Sequence, residues 1–106
     1  MEETLLETVR EARQVNAGAQ IEYVVGDLTA EGTVHDAVSR TVARFGRLDY
    51  AVNIAGITGK LLSTDVSELE DFRLVQQVNV ESLWLCQRAE LRVMLAQEMT
   101  AEGYYS

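Results

Sequence analysis

The 106-residue chain contains no proline and only one cysteine, Cys86. A single cysteine cannot form an internal disulfide or assemble a cysteine-based zinc site, which is typical of a reducing compartment. No apolar run approaches the roughly 20 residues that span a bilayer. The first residues show neither the basic nor the apolar region of a secretory signal. These absences predict a cytoplasmic protein, or a matrix-like one if a targeting segment has been lost, with no membrane partner.

Basic residues are also scarce. Nine lysine and arginine residues stand against 17 aspartate and glutamate residues, which gives a formal net charge of −8 and an isoelectric point near 4.5. Nucleic acids and anionic membranes bind basic surfaces, so the net charge argues against both as partners. The acidic residues are spread along the chain and indicate a solvated surface. Because 47% of the residues are hydrophobic, an ordinary fraction for a globular protein, the sequence predicts a single domain.

Hydrophobic spacing predicts three helices separated by two strands. Apolar residues recur at helical intervals over about residues 3–16, 30–45 and 68–98. Two short runs rich in β-branched and aromatic residues, 20–25 and 48–53, predict strands. The resulting order is helix–strand–helix–strand–helix. Alternating strands and helices favour an α/β fold with a parallel sheet.

The ends of two helices carry signals of their own. Thr29 is suited to cap the start of the second helix, and Gly46 is suited to end it in a left-handed conformation. Ser67 and Glu70 have the spacing of a capping box at the start of the third helix. These signals predict where the helices begin and end.

The first motif with chemical meaning is Asp27-Leu28-Thr29, at the end of the first predicted strand. In an open parallel sheet, ligands bind beyond the carboxyl ends of the strands. A carboxylate in that position can accept a hydrogen bond from the amino group of an adenine ring. The alternative is that Asp27 caps the next helix or forms a turn, and the motif alone favours that alternative.

Two further motifs follow. Residues 53–57, with the sequence Asn-Ile-Ala-Gly-Ile, end the second predicted strand, and their small side chains allow a ligand to approach the backbone. The alternative is a simple turn. Asn79 lies on an apolar stripe of the long helix, although asparagine is a mediocre helix former. It is either functional or a structural amide with satisfied hydrogen bonds.

The order of the three motifs resembles the central section of a short-chain dehydrogenase/reductase over about residues 3–99. The stretch Arg-Phe-Gly-Arg-Leu-Asp at residues 44–49 and Gln-Val-Asn-Val at residues 77–80 complete the pattern. The resemblance implies a partial Rossmann fold, a doubly wound parallel sheet forming one partial NAD(P)-binding domain over residues 1–106. It also implies hydride transfer between NAD or NADP and a small-molecule carbonyl or alcohol substrate.

The resemblance also implies roles for individual residues. The carboxylate of Asp27, helped by the backbone at Leu28, is expected to bind the adenine of NAD or NADP. Three residues are expected to lie along the adenosine ribose: Asn53, Ala55 and Gly56. Ile54 departs from the family pattern, which has a second asparagine there. Asn79 is the one implied catalytic residue, because the backbone carbonyl of the matching asparagine holds a water of the proton relay.

Two family motifs do not occur in the sequence. There is no Gly-x-x-x-Gly-x-Gly loop and no Tyr-x-x-x-Lys, and Lys60 is the only lysine. We therefore expect this chain to be a fragment of an oxidoreductase that is inactive by itself. No metal is implied.

Two alternatives and one structural consequence remain. The chain could be a non-catalytic interaction module that docks on a full-length relative through residues 68–98, which would also be a homo-oligomer surface. It could instead be a pseudoenzyme that binds an adenine nucleotide weakly. In the strand order 3-2-1-4-5-6, the two predicted strands are the third and fourth and are not neighbours. We therefore expect either an unstable chain or direct parallel pairing of the two strands.

Overall fold

The computed structural model of the protein describes residues 2–98. Residues 101–106, where no periodicity predicts an element, lie outside the described residues. The helical elements, in chain order, are α1 (Glu2–Val15), α2 (Glu31–Phe45), a 3-10 turn (Thr64–Val66), α3 (Leu69–Gln76), a π-helical segment (Gln77–Glu81) and α4 (Ser82–Ala96).

The three predicted helices are confirmed almost to their ends. The first two correspond to α1 and α2, and each begins and ends within about one residue of the prediction. The third is one unbroken helical run from Leu69 to Ala96, in which the π-helical segment separates α3 from α4. A π-helical turn accommodates one extra residue and occurs frequently at functional sites. The sequence periodicity did not predict it.

The helix-end signals are confirmed in one case and wrong in two. Gly46 ends α2 with φ of 87°, and its N–H donates to the Val42 carbonyl at 2.8 Å. Thr29 does not cap α2, because Ala30 is the capping residue and the Thr29 hydroxyl donates to Asp27 instead. Ser67 does not cap α3 either, since its hydroxyl donates to the Ser63 carbonyl. In both wrong cases a nearer oxygen acceptor takes the hydroxyl proton.

Neither predicted strand forms within residues 2–98. Residues 20–25 and 48–53 lie in irregular segments, so the predicted strand order is not confirmed. Direct pairing, one of the two expected outcomes, does not occur in the described residues, whereas the instability of the chain stays a prediction. A strand exists only through hydrogen bonds to a neighbouring strand. In the doubly wound order that the resemblance implies, two other strands would separate these two segments, so neither would be placed to satisfy the other's backbone.

The closest packing joins α2 to α4. Val34 of α2 and Met94 of α4 are the buried apolar residues of the described part, at 3% and 5% exposure. Arg88 of α4 forms an ion pair with Glu31 at the start of α2. Because Glu31 lies in the first turn, its carboxylate also interacts favourably with the helix dipole. These contacts place α4 against α2, and three residues near the start of α4 border a cavity: Ser82, Leu83 and Cys86.

Much apolar surface remains accessible around this packed pair. The accessible surface of the chain is 8198 Å², whereas a compact protein of this mass exposes about 5900 Å². Val52 and Ile54 are 80% and 87% exposed. These side chains belong to the second irregular segment, where a sheet face would otherwise cover them.

Between Glu2 and Glu98, no helix combines the length and the apolar content that crossing a membrane requires. The absence of nucleic-acid and membrane partners was inferred from the net charge and stays a prediction. The cytoplasmic location also stays a prediction.

Candidate functional site

A cavity of about 250 Å³ lies between the irregular segment that includes residues 52–55 and the long helix. Four of the six predicted site residues line it: Leu28, Asn53, Ala55 and Asn79. Ligand sites for whole small molecules usually measure about 300–1000 Å³. The cavity therefore has room for one ring system of a larger ligand, with the remainder lying outside.

Asn79 pairs with the backbone of Ile57 through both ends of its side-chain amide. Its Oδ1 accepts a hydrogen bond from the Ile57 N–H at 2.8 Å, and its Nδ2 donates to the Ile57 carbonyl at 2.8 Å. The amide thus offers this peptide the donor and acceptor that a neighbouring strand would supply. The structural alternative for the side chain is confirmed. The catalytic role implied for the Asn79 backbone carbonyl stays a prediction.

Gly56 lies directly beside the same amide. A Cβ atom at this position would be 3.2 Å from the Asn79 Oδ1. That separation is tighter than ordinary van der Waals contact, so a side chain at residue 56 would require the Asn79 amide to shift by a few tenths of an ångström. Gly56 is not among the cavity-lining residues. The close approach of the helix therefore explains why a glycine suits this position, an explanation that the motif did not suggest.

Asp27 lies in a turn, as the alternative interpretation of its motif proposed. Its Oδ1 accepts hydrogen bonds from the Thr29 N–H at 2.9 Å and from the Thr29 hydroxyl at 2.7 Å. These two bonds hold the pKa of the Asp27 carboxyl below its usual value, so the group is a carboxylate at neutral pH. Asp27 is exposed and does not line the cavity. Both bonds are accepted by Oδ1, so Oδ2 can still accept a hydrogen bond from a ligand.

The turn also determines where Leu28 lies. The Ala30 N–H donates to the Asp27 carbonyl at 3.0 Å, which closes the backbone over Leu28 and Thr29. Leu28 is half-buried and lines the cavity. Asp27 and Leu28 are adjacent in sequence, yet only the second belongs to the cavity wall.

Asn53 is held by the helix as well. Its Nδ2 donates to the Glu90 Oε1 at 2.8 Å. Glu90 lies 11 residues after Asn79, close to three helical turns along the same helix. The two asparagines of the site are therefore both fixed to the long helix, one as a donor from the irregular segment and one as part of the helix.

Three residues of α4 line the cavity without having been predicted as site residues: Ser82, Leu83 and Cys86. Leu83 and Cys86 follow Asn79 at helical spacing, and this was the signal that could have found them. Burial, and then the negative charge of Glu90, raise the pKa of the Cys86 thiol. The thiol is therefore protonated at neutral pH and forms an apolar part of the wall.

A family model described as enoyl-(acyl carrier protein) reductase matches residues 2–102. The 2-(R)-hydroxypropyl-CoM dehydrogenase of Xanthobacter autotrophicus is 39% identical over 99 residues, which covers 90% of this chain and 38% of that protein.

Two solved structures show the same likeness. A doubly substituted short-chain dehydrogenase/reductase of Serratia marcescens is 31% identical with a TM-score of 0.73, over 83% of this chain and 35% of that one. An ElxO variant with NADPH bound is 26% identical with a TM-score of 0.70, over 83% of this chain and 36% of that one. The likeness places the chain in the α/β class. The chain spans between 35% and 38% of the length of these three proteins.

Proposed function

Because the chain belongs to the short-chain dehydrogenase/reductase family, we propose that it forms the adenosine side of an NAD(P)-binding site. In the whole protein, this site serves hydride transfer between nicotinamide and a small-molecule carbonyl or alcohol. One solved relative has NADPH bound, and another relative is named as a dehydrogenase, which supports both the cofactor and the reaction class. These matches do not support the alternative of a non-catalytic interaction module.

The observation that carries the proposal is the meeting of the three motifs at one cavity. Leu28, Asn53 and Asn79 come from three separate parts of the sequence and line the same 250 Å³ space. Ala55 lies beside them and contributes only a methyl group, which leaves the backbone accessible. The small volume suits a single ring system better than a complete dinucleotide.

Each predicted residue has a place in this proposal. The Asp27 carboxylate, through Oδ2, accepts a hydrogen bond from the adenine amino group at the mouth of the cavity. Gly56, next to Asn53 and Ala55, leaves the backbone open to the ribose. The carbonyl of Asn79 lies in the π-helical segment, where the regular helical hydrogen bonding is altered, and is the proposed acceptor of the relay water.

We propose that this chain alone does not catalyse hydride transfer. The family reaction uses a tyrosine as general acid or base and a lysine that lowers the tyrosine pKa. The sequence contains no Tyr-x-x-x-Lys, and its only lysine, Lys60, lies shortly after the motif at residues 53–57. The proposed activity of this chain is therefore nucleotide binding without turnover.

The binding proposal is tested by titrating the full chain with AMP, NADH and NADPH while following backbone amide shifts by NMR. We expect shifts at Leu28, Ala55 and Gly56. Replacing Asp27 with alanine removes the proposed bond to adenine, worth about 1.5–3 kcal/mol for a charged acceptor, together with the two bonds to Thr29 that form the turn, so binding is expected to weaken roughly tenfold or more. Asp65→Ala is the matched control, because the Asp65 carboxylate is exposed and does not line the cavity. An absence of shifts at millimolar ligand would contradict the proposal.

We also propose that α4 forms a homo-oligomer surface. Trp84, Leu91 and Leu95 are 56%, 49% and 73% exposed and lie on one helical face. Large exposed apolar patches mark sites of association. Leu91→Asp combined with Leu95→Asp is expected to shift the chain from dimer to monomer in sedimentation equilibrium, whereas Gln14→Asp at an exposed position of α1 is expected to leave the dimer unchanged. A wild-type chain that is monomeric at high micromolar concentration would refute this surface.

A further inference from the structure

A second amide repeats the contact that Asn79 makes with Ile57. Gln97, immediately after the end of α4, accepts a hydrogen bond from the Leu48 N–H at 3.2 Å and donates to the Leu48 carbonyl at 2.5 Å. The backbone N–H and the backbone carbonyl of Leu48 are therefore both bonded to one side chain. Leu48 and Ile57 mark the two ends of residues 48–57, which we call the wall segment because Asn53 and Ala55 in its middle line the cavity.

The spacing of the two amides matches the spacing of the two peptides that they hold. From Leu48 to Ile57 there are nine residue steps, which span about 30 Å when the chain is extended. From Asn79 to Gln97, the residue that follows α4, there are 18 steps, which span about 27 Å when counted at the helical rise. The two lengths are comparable, so the wall segment can run alongside the helix between its two attachments. These attachments fix the segment to the helix although it has no strand partner in the described part of the chain.

The middle of the wall segment is attached in the same direction. Asn53 reaches Glu90, which lies between Asn79 and Gln97 on the helix. The three attachments, Ile57 to Asn79, Asn53 to Glu90 and Leu48 to Gln97, run antiparallel along the helix. A shift of the wall segment by one residue would break the backbone pairs at both ends at once.

We propose that Gln97 is a positioning residue that acts on the cavity from a distance. Together with Asn79 it fixes the register of the wall segment along the helix, and so fixes where Asn53 and Ala55 stand. Gln97 does not line the cavity, and its influence passes through the backbone from Leu48 to Ile57. The effect of Gln97 on ligand affinity rests on the proposed nucleotide binding, whereas its effect on the register does not.

The test is amide hydrogen exchange of the full chain, followed residue by residue by NMR. In Gln97→Ala, we expect the exchange of the Leu48 amide to accelerate at least tenfold, because its acceptor is lost. The register proposal further predicts at least threefold faster exchange of the Ile57 amide. This amide is nine residues away from Leu48, and its own partner, Asn79, is not substituted in the variant. Gln87→Ala is the control, since it removes an exposed amide of the same helix that does not contact the wall segment. The affinity for NADH is expected to fall about fivefold in Gln97→Ala and not in the control.

A size-matched variant separates the register from general destabilisation. Gln97→Glu keeps an acceptor for the Leu48 N–H but loses the donor to the Leu48 carbonyl, so it is expected to give an intermediate exchange rate at Ile57. The amide of Val34, in the core of α2, is expected to keep its protection in both variants. If Leu48 alone responds, or if Val34 loses protection together with Ile57, Gln97 does not set the register. If wild-type chain binds no nucleotide, the proposed function fails, while the exchange data still decide the register.

Discussion

Replacing Gly59 with alanine is expected to lower the free energy of unfolding by about 2–4 kcal/mol. Gly59 has φ of 71°, in the left-handed region where a side chain is strained. A Cβ atom there would also lie 2.6 Å from the Val75 Cγ2 and 2.8 Å from the Asp71 Oδ2. The same Asp71 oxygen accepts the Lys60 N–H at 3.1 Å, so the added methyl group would displace the carboxylate that fixes this loop on α3. Urea unfolding followed by circular dichroism measures the loss.

Substitutions of two other glycines separate the cost of backbone strain from the cost of the contacts with α3. Gly46 also has a positive φ, but an added methyl group would meet no atom within 4 Å, so Gly46→Ala is expected to cost about 1–2 kcal/mol from backbone strain alone. Gly32 lies inside α2 with open space around it, and Gly32→Ala is expected to stabilise the chain by about 0.5–1 kcal/mol. Equal losses for Gly59 and Gly46 would show that the contacts with α3 contribute nothing.

Replacing Asn79 with alanine is expected to lower the free energy of unfolding by about 1–3 kcal/mol and to abolish detectable nucleotide binding. The variant leaves both the N–H and the carbonyl of Ile57 without their partner. It also removes the attachment of Ile57 to the helix, next to the position where Gly56 lies beside residue 79. Urea unfolding measures the first effect, and the NMR titration with NADH measures the second.

Conservative changes refine the Asn79 prediction. Asn79→Asp keeps an acceptor for the Ile57 N–H but places a negative charge beside the Ile57 carbonyl, so most of the loss is expected to remain. Gln77→Ala is the matched control, because Gln77 is an exposed amide of the same π-helical segment and does not line the cavity. A loss in Gln77→Ala as large as that in Asn79→Ala would assign the effect to the π-helical segment and not to the amide.

The sequence was sufficient for the helices because helix formation depends on neighbours in the chain. The apolar stripe of α2 and the glycine at residue 46 are local signals, and both proved reliable. The two strands were not recoverable in the same way, since a strand depends on partners that lie far away in sequence. The irregular segment around residues 48–53 has the composition of a strand, yet in the described part of the chain the backbone of Leu48 is bonded to the side chain of Gln97, which follows the long helix.

The site was predictable in composition but not in geometry. The motifs identified Leu28, Asn53 and Asn79, which do meet at one cavity. The sequence could not show that Asp27 would turn one carboxylate oxygen towards Thr29. It also could not reveal Gln97, because a single glutamine after a helix has no periodic or motif signature. A contact between a side chain and a backbone group far away in sequence produces no local sequence pattern from which it could be predicted.

Asn79 and Gln97 bond only to backbone atoms of the peptides they hold. Backbone N–H and carbonyl groups are the same for every residue except proline, so these bonds do not depend on the side chains at positions 50–52, 54 and 55. Asn53, which bonds to Glu90, and Gly56, which lies beside the Asn79 amide, are the exceptions. Substitutions at the other positions can change the side chains offered to a ligand while the backbone that carries them stays in place, which makes this segment a favourable place for specificity to diversify.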